Sequence, residues 1–132
     1  MHNGFLKWAA VLGALSVALG AFGAHGLKKI VAAEAVSAFE TGVRYQFYHV
    51  FALLAVGILM EKFPVRWLRY AGNCFIAGVF LFSGSLYLLT FLEATETVGL
   101  KSIGIITPFG GLFFIAGWLC LLFGVAGSPR AK

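Results

Sequence analysis

Four apolar stretches, each about as long as a bilayer is thick, occupy most of this 132-residue chain. They cover Phe5–Gly23, Tyr45–Met60, Tyr70–Leu92 and Ile105–Val125. A hydrocarbon core of about 30 Å needs roughly 20 helical residues at about 1.5 Å of rise each. The runs are unbroken and lack the period-two alternation of a membrane β-barrel. The sequence therefore predicts an all-α membrane protein, a bundle of four transmembrane helices that forms a single domain over residues 1–132.

The composition excludes a conventional soluble domain. Charged residues make up 11% of the chain and hydrophobic residues 61%, whereas about a quarter of a typical soluble domain is charged. The formal net charge of +5 does not indicate nucleic-acid binding, because the basic residues flank the apolar spans and form no separate basic domain. They are better explained as topology determinants and contacts to anionic lipid. Membrane lipids are therefore the expected partners.

The basic residues predict that both termini face the cytoplasm. In that orientation the inner side carries Lys7, Lys62, Arg66, Arg69, Arg130 and Lys132. The outer side carries Lys28, Lys29, Arg44 and Lys101. Short cytoplasmic loops are typically enriched in Lys and Arg. The first span resembles a signal peptide, but its apolar run is long for one, so we expect it to remain as a signal anchor.

Two segments indicate where helices begin. Residues 27–44 form an amphipathic helical segment before the second span, because apolar residues recur there at helical spacing between polar ones. This helix either lies in the outer interface or continues straight into the second span, with Gly42 as the bend if there is one. Thr107 is a candidate N-cap for the fourth span, with Pro108 as the first helical residue.

Small residues recur along one face of the first and of the fourth span. The first seam consists of Ala9, Gly13, Ser16, Gly20 and Gly23. The second consists of Gly110, Gly117 and Gly124, each seven residues apart. Small residues let helix backbones approach closely in a membrane. These seams either pack the bundle internally or form an oligomer interface, and the sequence leaves both open.

The polar residues with chemical potential cluster near the outer ends of the first two spans. They are His25, Glu40, Thr41, Arg44, Tyr45, Tyr48 and His49. On a continuous helix Glu40, Arg44 and Tyr48 share one face. The neighbouring face carries Thr41, Tyr45 and His49. An ionisable group in a bilayer is costly unless paired. We therefore expect Arg44 to contact Glu40, or a hydroxyl or carbonyl of another helix, with His25 nearby.

This constellation allows more than one interpretation. Its side chains tie helices together at the outer rim, or they line a small polar pocket for a headgroup, an anion, a quinone-like molecule or a proton. A haem between His25 and His49 is chemically conceivable, but no CxxCH motif is present and we expect no cofactor. Cys74 and Cys120 lie inside apolar spans without Cys or His neighbours at ligand spacing. We therefore expect no metal site.

Four motifs run through nearly the whole chain in a recognisable order. They are Ala18–Leu27, Phe39–His49, Leu81–Tyr87 and Ile106–Gly111. Together they resemble the YgdD-like family of small inner-membrane proteins, a domain of unknown function. The resemblance implies a four-span protein of the bacterial inner membrane and gives weight to His25, Arg44, Tyr45 and His49. It supplies no reaction.

Three function classes follow from these observations. A structural or accessory component, packing with itself or with a larger membrane complex, is favoured by the two seams and the lack of a soluble face. The alternative is a small oligomeric transporter, or a ligand- or lipid-binding protein, that uses the polar cluster around Arg44. Polar residues are sparse at the membrane centres, which disfavours a pore within one monomer. We expect no enzyme activity, because the sequence holds no nucleophile–base or metal-ligand set.

Overall fold

The computed structural model describes residues 3–96 and 101–127, except for the side chains of Lys101 and Ser102. Arg130 and Lys132, used in the charge argument, lie outside the described residues. The elements are α1 (Asn3–His25), a 3-10 turn (Leu27–Lys29), α2 (Ala33–Leu59), α3 (Arg66–Gly78), a π-helical turn (Val79–Ser83), α4 (Gly84–Ala94), a second 3-10 helix (Lys101–Ile105) and α5 (Ile106–Ala126).

Four of the helical segments are long and apolar enough to cross a membrane. The elements α3, the π-helical turn and α4 follow one another without interruption, and we call this segment span three (Arg66–Ala94). The other three segments are α1 with its 3-10 turn, α2, and α5 with the end of the helix before it. The predicted all-α fold with four transmembrane helices is therefore confirmed.

The second span is longer than its apolar stretch. Its helix begins at Ala33 and runs unbroken through Gly42, so the structure has the continuous helix and not a separate interfacial one. Gly42 is buried, and a Cβ there would lie 3.0 Å from Cε1 of Tyr87 in span three. This glycine therefore permits close packing and does not bend the helix.

The order of packing is α1 on α2, α2 on span three, and span three on α5. One core cluster joins all four spans: Phe5, Ala9, Leu12, Val50, Ala52, Leu53, Val56, Leu68, Ala71, Phe75, Val79 and Phe114. A smaller cluster lies where α1 turns into α2: Leu27, Val36, Phe39 and Val43. We call this end of the bundle, which carries the connection between α1 and α2, the turn end.

Candidate functional site

The interior of the bundle contains a buried amide on α2 that joins three spans. Gln46 is 2% exposed. Its Nε2 donates a hydrogen bond to the carbonyl of Leu12 in α1 at 2.9 Å, and its Oε1 accepts one from the Tyr87 hydroxyl of span three at 2.7 Å. Ser16 also donates to the Leu12 carbonyl, at 2.7 Å. One side chain therefore fixes α2 against both of its neighbours.

A buried imidazole, one turn further along α2, connects that helix to α5. The indole N–H of Trp118 donates to Nε2 of His49 at 3.1 Å. Because the indole can only donate, the proton of the neutral ring is on Nδ1, which donates to the Tyr45 carbonyl at 2.7 Å. The ring stacks on Phe114 with centroids 3.6 Å apart. Both imidazole nitrogens are thus engaged by the protein, and neither presents a lone pair for a metal or a haem iron.

Hydroxyl groups make two further connections. Ser83, at the end of the π-helical turn, donates to the Gly42 carbonyl at 2.6 Å. The Ser85 and Thr107 hydroxyls form a short hydrogen bond between span three and α5. Thr107 is therefore not the N-cap that the sequence predicted, because α5 begins at Ile106, two residues before the predicted start, with Ile105 as its N-cap. Within the part of the chain that the structure describes, every buried side-chain nitrogen or oxygen has a hydrogen-bond partner.

The remaining residues of the predicted constellation lie on the surface of the bundle. His25, Glu40, Arg44, Tyr45 and Tyr48 are all exposed. Thr41 is half-buried, and its hydroxyl donates to the Ser37 carbonyl at 3.0 Å. Tyr45 packs its ring on Phe82, with centroids 4.8 Å apart. The structure therefore does not gather these side chains into one pocket.

The expected pair between Glu40 and Arg44 is absent. No ion pair joins these two side chains, both of which fall within the described residues. Glu40 instead lines a surface groove of about 390 Å³ together with Lys28 and Ser37. Spacing of one helical turn places two side chains on one face, but it does not by itself bring their charged groups into contact.

His25 and His49 are also far apart. Val43 of α2 lies against Gly20 of α1, 3.5 Å from the position of a Cβ there. His25 is five residues beyond Gly20 towards the turn end, and His49 is six residues beyond Val43 in the opposite direction. At 1.5 Å per residue they are separated by about 16 Å along the bundle. The structure thus gives no support to a site that contains both imidazoles.

The glycine seams lie between helices of the same bundle. Gly13, Gly20 and Gly23 of α1 lie against α2 side chains, with Ser16 buried among them. A Cβ on Gly117 would approach Phe75 to 2.6 Å, and one on Gly124 would approach Leu68 to 2.9 Å. At Gly110 the added carbon would overlap the backbone nitrogen of Phe82. The backbone of α5 therefore meets that of span three directly at the π-helical turn.

Sequence reasoning missed the central residues of the interior. The candidate site does not include Gln46, Tyr87 or Trp118, whose hydrogen-bond partners lie on other spans. The apolar periodicity of α2 held the necessary signal: Val43 and Val50 are buried, and Gln46 lies between them at helical spacing. A polar residue on the buried face of an amphipathic helix needs a partner inside the protein.

Comparisons with known proteins bear on the whole bundle. A family model described as "Protein of unknown function (DUF423)" matches residues 19–111. The chain is 41% identical over 124 residues to a UPF0382 membrane protein of Haemophilus influenzae, covering 94% of each. It is 40% identical over 123 residues to a UPF0382 membrane protein of Staphylococcus saprophyticus, covering 90% of this chain and 97% of the relative.

A relative from Escherichia coli carries a more specific location in its name. The UPF0382 inner membrane protein YgdD of strain K12 is 38% identical over 125 residues, covering 95% of this chain and 91% of that protein. No solved structure matches the chain. The names of these relatives state a membrane location and no reaction.

Proposed function

The chain belongs to the DUF423 family of unknown function, and from that premise we propose that it is a structural or accessory membrane protein that assembles with itself or with a larger membrane complex. The protein is an integral membrane protein whose relatives carry no named activity. The proposal includes no catalytic step. The observation that supports it is the interior of the bundle, where every buried polar side chain among the described residues already has a hydrogen-bond partner.

The interior polar groups are committed to holding the four spans together. Gln46, His49 and Ser83 each bond to a neighbouring span. A transport path needs polar groups that remain free to replace the solvation of a cargo along the full depth of the membrane. In the described part of the chain the buried polar side chains are already paired. This favours an activity located on the outer surface of the bundle over one located inside it.

The outer surface offers extensive apolar area for lipid or for a partner helix. Large side chains on α1 and α5 are exposed, among them Val17 (62%), Leu112 (60%) and Ile115 (58%). In a bilayer such faces gain little by meeting one another, since lipid tails are as apolar as they are. Specific assembly therefore has to come from shape or from polar contacts on the surface.

The proposal includes a location and an orientation. We place the protein in a bacterial inner membrane, as the name of the E. coli relative suggests, with both termini in the cytoplasm, as the charge distribution favours. A reporter fused after Lys132 should be active only on the cytoplasmic side. Periplasmic activity of that fusion would overturn the orientation.

The assembly proposal is tested by extracting the protein intact. Membranes that contain a tagged copy are solubilised in mild detergent, and the purified species is sized by native mass spectrometry with lipids included. We expect a species larger than one chain. As a control, tagged and untagged membranes are mixed after solubilisation, which reveals association formed only in detergent. A monomer that carries lipid alone would refute the proposal.

A further inference from the structure

One exposed face of α2 differs from the other faces of the bundle, and we call it the α2 stripe. It consists of Ser37, Glu40, Arg44, Tyr48, Phe51, Ala55 and Ile58, all exposed. Ser37, Arg44, Phe51 and Ile58 are each seven residues apart. That repeat is the one with which two parallel helices pack face to face. The half towards the turn end is polar, and the other half is apolar.

Arg44 lies at a depth where the neighbouring helix is still apolar. Its chain neighbour Val43 lies against Gly20, five residues before the end of α1. This puts the α-carbon of Arg44 about 9 Å inside that end. Every exposed residue of α1 from Trp8 to Phe22 is apolar. A guanidinium is always charged, so Arg44 is a permanent cation beside the hydrocarbon region.

The exposed face of α5, unlike the α2 stripe, carries no charged residue. Every exposed residue from Phe109 to Val125 is apolar. Such a face can meet lipid tails without cost, whereas a cation inside a membrane span requires a partner of opposite charge or a route to the headgroups. The position of Arg44 therefore indicates that something other than lipid tails covers the α2 stripe.

We propose that a second copy of this chain covers the α2 stripe, with Glu40 of each copy pairing with Arg44 of the other. The inference rests on the proposed function, because it names the surface and the partner of self-assembly. Two copies in one membrane have the same orientation, so a two-fold axis along the membrane normal sets their α2 helices parallel. A surface used in this way must be complementary to itself.

The charges of the stripe meet that condition. In a parallel pair Glu40 of one copy lies about 6 Å along the axis from Arg44 of the other, a distance that these two long side chains span, so a two-fold axis forms two opposite-charge pairs. Arginine and carboxylate form bidentate, charge-assisted hydrogen bonds. Tyr48, Phe51 and Ile58, which are 52%, 63% and 55% exposed, would pack on their counterparts below the charges. A lipid phosphate would pair with Arg44 but would be repelled by Glu40, so the presence of both charges favours a second copy.

A charge-complementation experiment tests this pairing in intact membranes. Arg44→Glu gives a stripe with two acids, and Glu40→Arg gives a stripe with two bases. Each variant is expressed with two different tags, and self-association is measured by pull-down after mild extraction. We expect at least a ten-fold loss of self-association for either variant alone. Co-expression of the two variants, each with its own tag, should restore the wild-type yield.

A lipid site predicts a different result for the same variants. If Arg44 serves only to bind a phosphate, co-expression cannot rescue the Arg44→Glu copy, and equal yields in mixed and unmixed samples overturn the inference. Circular dichroism and thermal unfolding of each purified variant establish that it folds. Should either variant fail that check, the cross-linking experiment below decides instead.

Disulfide cross-linking locates the interface without altering any charge. In a Cys74→Ala/Cys120→Ala background, Tyr48→Cys places one thiol on the α2 stripe. Leu119→Cys is the matched control on α5, because Leu119 is 48% exposed and Tyr48 is 52% exposed. Bridged α-carbons lie about 4.4–6.8 Å apart. After mild oxidation of membranes we expect at least ten times more covalent dimer from Tyr48→Cys than from the control.

The outcomes separate this inference from the proposed function. Cross-linking through Leu119→Cys instead, with self-association insensitive to the charge variants, overturns the α2 stripe but leaves assembly intact. Co-purification of a different protein with a chain that never pairs with itself also overturns the inference alone. A wild-type chain that is monomeric and free of partners overturns both.

Discussion

The helices α2 and α5 show two opposite ways of holding a span in a membrane bundle. Half of the residues in an apolar 18-residue stretch of α2 are buried, whereas 22% are buried in the corresponding stretch of the span that contains α5. The glycines of α5 bring its backbone against span three, most closely at Gly110. α2 also packs against glycines of α1, but it adds side-chain hydrogen bonds from Gln46 and His49 to its neighbours.

The difference shows what each helix can tolerate on its outer face. Because lipid tails are as apolar as leucine, helices in a bilayer associate through close packing and polar contacts. α5 uses close packing, and its outer face is free to be uniformly apolar. α2 is buried over a wider inner face that also carries directional hydrogen bonds, and its outer face carries both charges of the α2 stripe. Four substitutions test this contrast, in order of expected effect.

Gly110→Ala should have the largest effect, because the added methyl would overlap the backbone of Phe82. Backbone cannot move aside as a side chain can, so α5 must shift. We expect a loss of about 3 kcal/mol in the free energy of unfolding, measured by chemical denaturation in mixed micelles. Gly111→Ala is the control, since a methyl there would lie 4.0 Å from the ring of Phe82. Equal effects at both positions would contradict the close-packing account.

Gln46→Leu should have the next largest effect, because it removes two hydrogen bonds and leaves the Tyr87 hydroxyl without its acceptor. We expect a loss of about 2 kcal/mol. A double-mutant cycle with Tyr87→Phe isolates the pair, since the double variant should lose less than the sum of the two single variants. Strict additivity would show that the amide and the hydroxyl do not act together.

Trp118→Phe tests the single hydrogen bond between the two contrasted helices. The phenyl ring retains contact area near Phe75, but His49 loses the donor to its Nε2. We expect a loss of about 1 kcal/mol, within the range for interhelical hydrogen bonds in membranes. Trp67→Phe is the control, because Trp67 is 42% exposed and Trp118 47%. A larger loss at Trp67 would show that ring volume matters more than the hydrogen bond.

Arg44→Gln should have the smallest effect on the isolated chain. We expect a change within about 0.5 kcal/mol in the free energy of unfolding, measured at a dilution where the protein is monomeric. The reason is that Arg44 is exposed and forms no ion pair with Glu40. A loss greater than that of Gln46→Leu would place Arg44 among the residues that hold the bundle together and would remove the contrast between the two faces of α2.

The spans were predictable from the sequence because length and apolar composition alone decide them. The same is true of the seams, whose small residues are visible as a heptad repeat. The polar cluster was grouped wrongly for a simple geometric reason. Arg44 and His49 are five residues apart, about 140° around a helix, so one faces out and the other in. Thr107 suits a helix cap, but its role in pairing with Ser85 depends on how α5 and span three meet, which no single helix encodes.

The lengths of the contrasted helices also shape the bilayer around them. The apolar part of α2, from Tyr45 to Leu59, covers about 22 Å, whereas the 21 residues of α5 cover about 32 Å. A bilayer that matches α5 either thins beside α2 or surrounds Arg44 with hydrocarbon, and both have a cost. Thinning has an elastic cost that falls when two such sides share one boundary. Under the proposed self-assembly, relief of this cost therefore adds to the pairing of the two α2 stripes, in proportion to the thickness of the bilayer that hosts the two copies.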